Sequence, residues 1–485
     1  METTFDVKIW TIVVRELSSG RKSYRVRWRV SNKPWSGNYA TRALAESFRS
    51  QLISAQNRGE AFRIADGLPV SMSRQLNDQS WLEFAQRYAD MKWSRAAAKS
   101  RAGNADALAS ATFAMLSTER GRPAAAVLRQ AMTGWVFNPK RRDTEKPAEI
   151  ERALKWLASN TVPVSRLDDP ATLRLVLDQI ALRMDGKSAA AKTFSRKRAV
   201  IHNAIEYGVE QNLLSENRLT KVKWTAPKQA RAIDMRVVIN PRQASDLLAG
   251  VEAQQVPGQL RRSSGPRLVA FFAAMYYAAL RPEETAMLSK PDLVLPESGW
   301  GKLLLSQTAP IAGGAWTDSG ERRDRRQLKQ RGVGEVRSVP CPPPLTALLR
   351  QHLDKFGTAA DGRLFRNLTG GDLAESTIAR VWDRARKAAL SEAEYDSVLA
   401  RRPYDLRHAC VSTWLAAGVP STQIAEWAGH SVGVLHQIYA KVIAGQESTA
   451  LARIGDALGL DEASGGDTHG TQISGEDRTD PGSAG

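Results

Sequence analysis

The sequence predicts a mainly α protein with small β elements, arranged as several consecutive modules. Period-two alternation is confined to residues 1–60 and to a ribbon near 300–340. Helical spacing of apolar residues dominates the stretch 76–215. One unbroken apolar run, Leu268 to Leu280, reads as a buried helix, because it falls short of the ~20 residues a bilayer requires. A chain of 485 residues exceeds one ordinary core, so about two to four domains are expected.

Composition narrows the partners. The chain carries 69 Lys+Arg against 51 Asp+Glu, a net charge of +18. Such a surplus points to a polyanion: nucleic acid first, an anionic membrane surface as the competitor. Two cysteines, Cys341 and Cys410, make neither a disulfide framework nor a four-thiolate zinc site, which fits a reducing compartment. The opening METTFDVKIW lacks a basic start followed by an apolar core, so no signal peptide is expected there. A cytoplasmic, nucleoid-associated protein is the resulting expectation.

Residues 1–65 form the first module. Phe5, Val7 and Ile9 alternate with Asp6 and Lys8, and a turn at Ser18-Ser19-Gly20 leads to Tyr24, Val26 and Trp28. A third strand is expected near Trp35–Tyr39, and a helix after Thr41. Leu44 stands where a capping box needs Glu or Gln, so only a simple threonine cap is predicted. Arg25, Arg27 and Arg29 share one face of the second strand. That face suits either entry into a DNA major groove or plain solvation.

The helical module spans 76–215. Trp81, Phe84, Tyr88 and Met91 recur at helix spacing and are expected to pack a core. Lys192, Arg196 and Lys197 precede the amphipathic run Ile201 to Leu214. Cations clustered at a helix start are disfavoured by its dipole unless an anion sits there, so a phosphate-contacting role is preferred to a wet surface. Residues 216–237 read as a basic linker, and 238–460 as a second large domain opening on the cap pair Asn240-Pro241. The Gly/Ser/Asp-rich tail 461–485 is expected to be disordered.

Within 238–460, several polar groups could carry chemistry, each with a plain structural reading beside it. Arg281 leaves the buried helix and needs a carboxylate or a phosphate. Glu284 is placed to orient it, and that ion pair alone would explain the motif. The ribbon at 300–340 carries a basic excursion of the kind that is usually solvated, with Lys329 placed at its tip to act as a general acid. PYDLRHACVSTWLAAG reads as a loop entering a helix, with Val411, Trp414 and Leu415 inward. Arg407 near that helix start would be met by a bound phosphate. Tyr404 can donate one hydrogen bond, and His408 is read as a packed histidine. Gly429 ends a helix, His430 lies in the following turn, and Tyr439 falls on the next short helix. Taken alone, Tyr439 is explained by amphipathic packing. Beside several cations its phenolate would be favoured over the reference pKa of ~10.

Together these pieces resemble the tyrosine recombinases, the lambda-integrase-like family, whose motif order is R, K, HxxR, H, Y. The resemblance places the first arginine at Arg281 in LRPEE and the hairpin lysine at Lys329 in LKQRGVGEVR. The second arginine falls at Arg407 in YDLRH, the later histidine at His430 in AGH, and the nucleophile at Tyr439 in HQIYAKV. It covers about 240–450 closely and makes 238–460 a mixed α+β catalytic domain. Less specifically, 76–215 looks like the family's core-binding domain and 1–65 like an arm-type DNA-binding module. In one departure, Tyr404 stands where HxxR has histidine. A phenol there can donate to a phosphate oxygen but cannot be an imidazolium. His408 is expected to point elsewhere on its helix.

The resemblance implies a site-specific recombinase or integrase that cleaves and rejoins DNA through a 3′-phosphotyrosyl ester, without metal or other cofactor. Its implied partners are double-stranded DNA attachment sites, a homotetramer on DNA and an accessory directionality or DNA-bending factor, with no membrane. Two alternatives share the constellation or the fold: a type IB topoisomerase-like nicking enzyme, and a non-catalytic DNA-binding protein.

Overall fold

The computed structural model describes residues 2–16, 21–76, 78–183, 185–227, 232–255, 258, 263–329, 331–332, 334–444 and 447–458, the side chains of 441, 443, 444 and 447–450 excepted. The turn expected at 18–20 and the tail 461–485 lie outside the described residues. The fold is mainly helical with small sheets, in two compact units. One is Met1–Ala230 with Gln307–Leu328; the other is Arg231–Ser306 with Lys329–Gly485. The division between them falls inside the expected linker. No helix among the described residues is long and apolar enough to cross a membrane.

In the first unit, Lys22–Val30 is the central strand of an antiparallel sheet. It pairs with Val7–Ile9 and Val13–Glu16 along one edge and with Lys33–Tyr39 along the other. Val7 opposes Val30 but Val13 opposes Arg25. The first edge therefore holds one residue more than the central strand between its two paired stretches, which is a bulge. Val26, Trp28 and Val30 alternate onto Ala45, Leu52 and Ala55 of the helix Arg42–Asn57. The Thr41 hydroxyl accepts from the Leu44 amide at 3.3 Å, the simple cap expected. Phe5, in phase with Val7 and Ile9 in the sequence, is 72% exposed. The chain bends there, because Thr3–Thr4 turns away to pair with Phe62–Arg63.

The opposite sheet face is basic. Arg27 is exposed and lies 5.9 Å from the Trp10 ring. Arg25 donates to Ser36 Oγ at 2.7 Å, and Arg29 sits opposite Lys8.

Helices Trp81–Trp93, Ala98–Thr112, Ala148–Ser159, Pro170–Ile180 and Ala191–Glu210 surround one core. Trp81, Phe84 and Tyr88 are buried as their spacing predicts, while Met91 is 38% exposed because the packed core ends before its helix does. The helix Ala191–Glu210 already contains the cationic cluster. Lys192 and Arg196 are exposed, but Lys197 is buried and does not face solvent. It shares the inward stripe of Phe194, Ile201 and Ile205. Its ammonium donates to Ser110 Oγ at 2.8 Å and lies 3.6 Å from Asp106. Burial lowers its pKa, with Asp106 opposing.

The excursion expected to be a solvated loop is instead anchored in this unit. Gln307–Thr308 pairs with Arg326–Gln327. Arg101, itself buried, donates to both Asp318 carboxylate oxygens at 2.7 and 3.1 Å and to the Trp316 carbonyl. Asn138 and Lys140 hold the carbonyls of Ala315, Thr317 and Asp318. A buried guanidinium needs an anion, and Asp318 supplies it.

The second unit opens on Asn240, which forms a capping box with Gln243 at the start of Pro241–Glu252. Every residue from Val269 to Tyr276 is buried, as the apolar run predicts. The ribbon is present: Gly301–Leu305 pairs antiparallel with Arg337–Cys341 and, on its other edge, with Leu293–Val294. Helices Pro343–Phe356, Glu375–Ala389, Asp405–Ala416, Ser421–Ala428 and Val432–Ala444 complete the described layers.

Candidate active site

The buried helix Val269–Tyr277 ends in a turn through Ala279, whose φ of 51° is left-handed. A non-glycine residue there costs about 1–2 kcal/mol. The turn delivers Arg281 to the cap of Pro282–Thr285. Arg281 donates from Nη1 to Glu284 Oε1 at 2.7 Å, the pair its spacing predicts, and from Nη2 to the Gly429 carbonyl at 2.6 Å. Glu284 also takes a two-pronged contact from Arg337, at 3.0 and 2.7 Å. Burial would raise the Glu284 pKa, but Arg337 and Arg281 pull it down to about 2. One buried carboxylate thus serves two arginines.

Arg407 has no such anion. It is fully buried in the first turn of Asp405–Ala416 and donates to the carbonyls of Ala279 and Ala428 and, at 2.8 Å, to His430 Nε2. Within the chain, carbonyls and an imidazole rather than an anion meet this charge. Ala428 ends the helix Ser421–Ala428, where the dipole favours a cation. Burial, then Arg281, lowers the Arg407 pKa, as expected of a cation short of counter-charge. Because His430 Nε2 accepts, its proton sits on Nδ1. That atom and Arg407 Nε have no partner among the described residues. Burial, Arg407 and Arg281 push the His430 pKa down to about 3, so the ring is neutral near pH 7.

Tyr439 lies in Val432–Ala444 at a break in the helix (φ −107°, ψ 19°) and is fully buried. It belongs to the same buried cluster as Ala279 and Ala428, the residues whose carbonyls Arg407 holds. Its hydroxyl is 2.8 Å from His408 Nδ1. The cations do not make it a phenolate at rest. Burial raises its pKa, and the lowering by Arg407 does not overcome that. Tyr404 is partly exposed, with its ring 5.1 Å from His408 in an edge-on arrangement.

The structure therefore gathers Arg281, Arg407, His430, Tyr404 and Tyr439. It does not join Lys329 to them. Lys329 occupies an exposed turn and makes no hydrogen bond or ion pair among the described residues. Sequence reasoning missed His408 and Arg337. The chemistry on offer is anion binding with excess positive charge, an unpaired imidazole N–H, and a phenol next to a neutral imidazole.

Gly429 makes the arrangement possible. Its φ is 65°, and a Cβ there would overlap Arg337 Nη1 and come within 3.2 Å of Arg281 Nη1. Gly429→Ala is expected to displace both guanidinium groups and to lower stability by at least about 1–2 kcal/mol, the cost of the left-handed backbone alone. Denaturant midpoints would measure it.

No protein-family model and no curated protein matches the sequence. Among solved structures, the chain is similar to the Tn1549 transposon integrase in complex with a circular intermediate DNA. The two are 15% identical over 68% of this chain and 99% of that one, with a TM-score of 0.45. It is also similar to the XerH site-specific recombinase bound to palindromic difH substrate, at 12% identity, 78% and 95% coverage and a TM-score of 0.44. A lambda integrase tetramer bound to a Holliday junction gives 12% identity, 86% and 91% coverage and a TM-score of 0.42.

Proposed function

We propose that this chain is a tyrosine recombinase, a site-specific enzyme that cleaves and rejoins DNA through a 3′-phosphotyrosyl intermediate to move a mobile element. The observation that carries the reading is the convergence of Arg281, Arg407, His430 and Tyr439 in one buried, net-cationic cluster.

The scissile phosphate binds between Arg281 and Arg407, and the free Nδ1–H of His430 donates to a non-bridging oxygen. Fixed donors aimed at developing charge are the main source of rate here. Tyr404 supplies a further hydroxyl donor. The Tyr439 oxygen attacks phosphorus, the bond to O5′ breaks, and Lys329, which stands apart from the cluster at rest, is carried in on DNA binding to protonate the departing oxygen. A partner strand's 5′-hydroxyl then attacks the ester and frees the tyrosine. Because Tyr439 is covered at rest, DNA binding must open its surroundings; the helix break at Tyr439 is where that movement is taken up.

Affinity for duplex attachment sites comes from the basic surplus. Arg25 and Arg27 on the sheet, and Lys192 and Arg196 on the helix, contact backbone or groove. Assembly is a homotetramer on DNA with an accessory directionality or DNA-bending factor. Lys192→Ala and Arg196→Ala are each expected to weaken binding and to reduce the slope of log affinity against log salt by ~1. Lys197→Ala should leave that slope unchanged and lower stability by about 1–3 kcal/mol, because Asp106 and Ser110 lose a buried partner. Salt titrations and denaturant midpoints separate the two classes.

Suicide-substrate trapping with peptide mapping of the DNA-linked residue tests the proposal. An adduct at Tyr439 followed by strand exchange supports it. An adduct on nonspecific supercoiled DNA without exchange makes the chain a topoisomerase-like nicking enzyme. DNA binding with no adduct makes it a binding protein only.

A further inference from the structure

We propose that His408 is the catalytic proton acceptor for Tyr439. This rests on the recombinase reading of the site and adds a residue to it.

The phenol must lose its proton as it attacks, and burial keeps it protonated at rest. Only a group with a free lone pair at the hydroxyl can take that proton. His408 Nδ1 lies 2.8 Å from the Tyr439 oxygen, and the two rings are tilted with centroids 5.8 Å apart. The other neighbours are unsuited. Arg281 and Arg407 have no acceptor. His430 has its one lone pair engaged by Arg407. Tyr404 is another phenol, and Lys329 makes no contact with the cluster.

The groups facing His408 are Arg402, Tyr404 and Arg407 near its own helix start, His430 after Ser421–Ala428, and Tyr439 from Val432–Ala444. No carboxylate hydrogen-bonds to the ring among the described residues. Burial, then Arg407 and Arg402, push its pKa down to about 4, so the imidazole is neutral and open to a proton near pH 7. A phosphate arriving between the arginines offsets part of that field and raises the ring's basicity as the reaction begins.

The step balances. Nδ1 takes the phenolic proton, and the O–H electron pair becomes the new bond from the tyrosine oxygen to phosphorus. The P–O5′ pair leaves with the sugar oxygen, which takes its proton from Lys329. In the return step the partner 5′-hydroxyl attacks, its proton passes to the Lys329 amine left neutral by the first step, and the His408 imidazolium gives its proton back to the departing Tyr439 oxygen. His408 thus carries its resting proton on Nε2.

His408→Asn tests this. Its amide can still accept from the phenol and fill the space, but it cannot take a proton. Single-turnover adduct formation should fall on the order of 10²–10⁴, with duplex binding retained. The residual rate should climb tenfold per pH unit, whereas the parent levels off above the His408 pKa. Fluorinated tyrosine at position 439, a more acidic phenol, should recover much of the deficit in His408→Asn. Parent-like rate and pH profile in His408→Asn would overturn the proposal while leaving the recombinase reading intact. If the unaltered protein forms no adduct, both fall. If His408→Asn does not fold, fluorotyrosine at 439 in the otherwise unaltered chain decides. A pH–rate profile that stays level through neutral pH whichever phenol is present supports the proposal, and one that climbs with pH and levels off only at the lower pKa of the fluorophenol overturns it.

Discussion

Tyr439→Phe is expected to bind duplex DNA as the parent does and to form no covalent adduct. The substitution removes one oxygen from a fully buried side chain in the core cluster that also holds Ala279, Leu435 and Ala428. Shape is kept, so the fold should survive. The lost hydrogen bond leaves His408 Nδ1 without its partner, a cost of about 1–3 kcal/mol. Cleavage, by contrast, should vanish, since no other hydroxyl touches that imidazole among the described residues. An adduct that survives denaturation in the phenylalanine protein would remove Tyr439 from the mechanism and require another nucleophile.

Glu284→Ala should damage both fold and site. The carboxylate is 2% exposed and is held by Arg337, which is equally buried, and by Arg281. Deleting it strands the Arg337 guanidinium in the interior, at about 3–5 kcal/mol. Among the described residues, the Arg281 guanidinium then keeps only the Gly429 carbonyl. Acid should expose the same dependence. The Glu284 pKa falls from an ordinary 4.5 to about 2 on folding. Its contribution is therefore complete above pH 4.5 and is lost as pH falls towards 2. His408 and His430, buried and neutral, act earlier. The unfolded chain binds their protons first, so stability drops as pH falls below 6.5 towards their folded values of about 4 and 3. Denaturant midpoints from pH 7 to 2 should slope throughout for the parent. For Glu284→Gln the slope should lessen below about 4.5 without vanishing, because His430 still titrates towards 3; an unchanged curve would show that the pair does not couple to folding.

Much of this was legible beforehand because single residues dictate it. Asn240-Pro241 starts a helix wherever it falls, Gly429 ends one, and thirteen apolar residues from Leu268 to Leu280 must be buried. Arg281 with Glu284 follows from spacing alone. His408 was readable too: it lies three and seven residues before Val411 and Leu415, on their inward stripe. The eye goes instead to the flanking arginine. Arg337 alternates with the buried Val339 and Cys341, so its strand position predicts an inward guanidinium. What could not be read is which distant carbonyls meet a charge. Arg407 is held by Ala279 and Ala428, and Arg101 by Asp318, across separations that no local pattern encodes. Lys197 shows the same limit in reverse, since its ammonium is spent on Ser110 and Asp106.

The anchored segment Gln307–Leu328 bears on how this gene can be cut. The polypeptide passes from one unit to the other at three points, so neither unit is a contiguous stretch of sequence. A fragment stopped at residue 230 would lack Asp318 and leave Arg101 buried without its anion, while Asn138 and Lys140 would lose the backbone they hold. Expression of the amino-terminal half alone should give a weakened, protease-sensitive product. Supplying 307–328 through a short engineered connection after residue 227 should restore it.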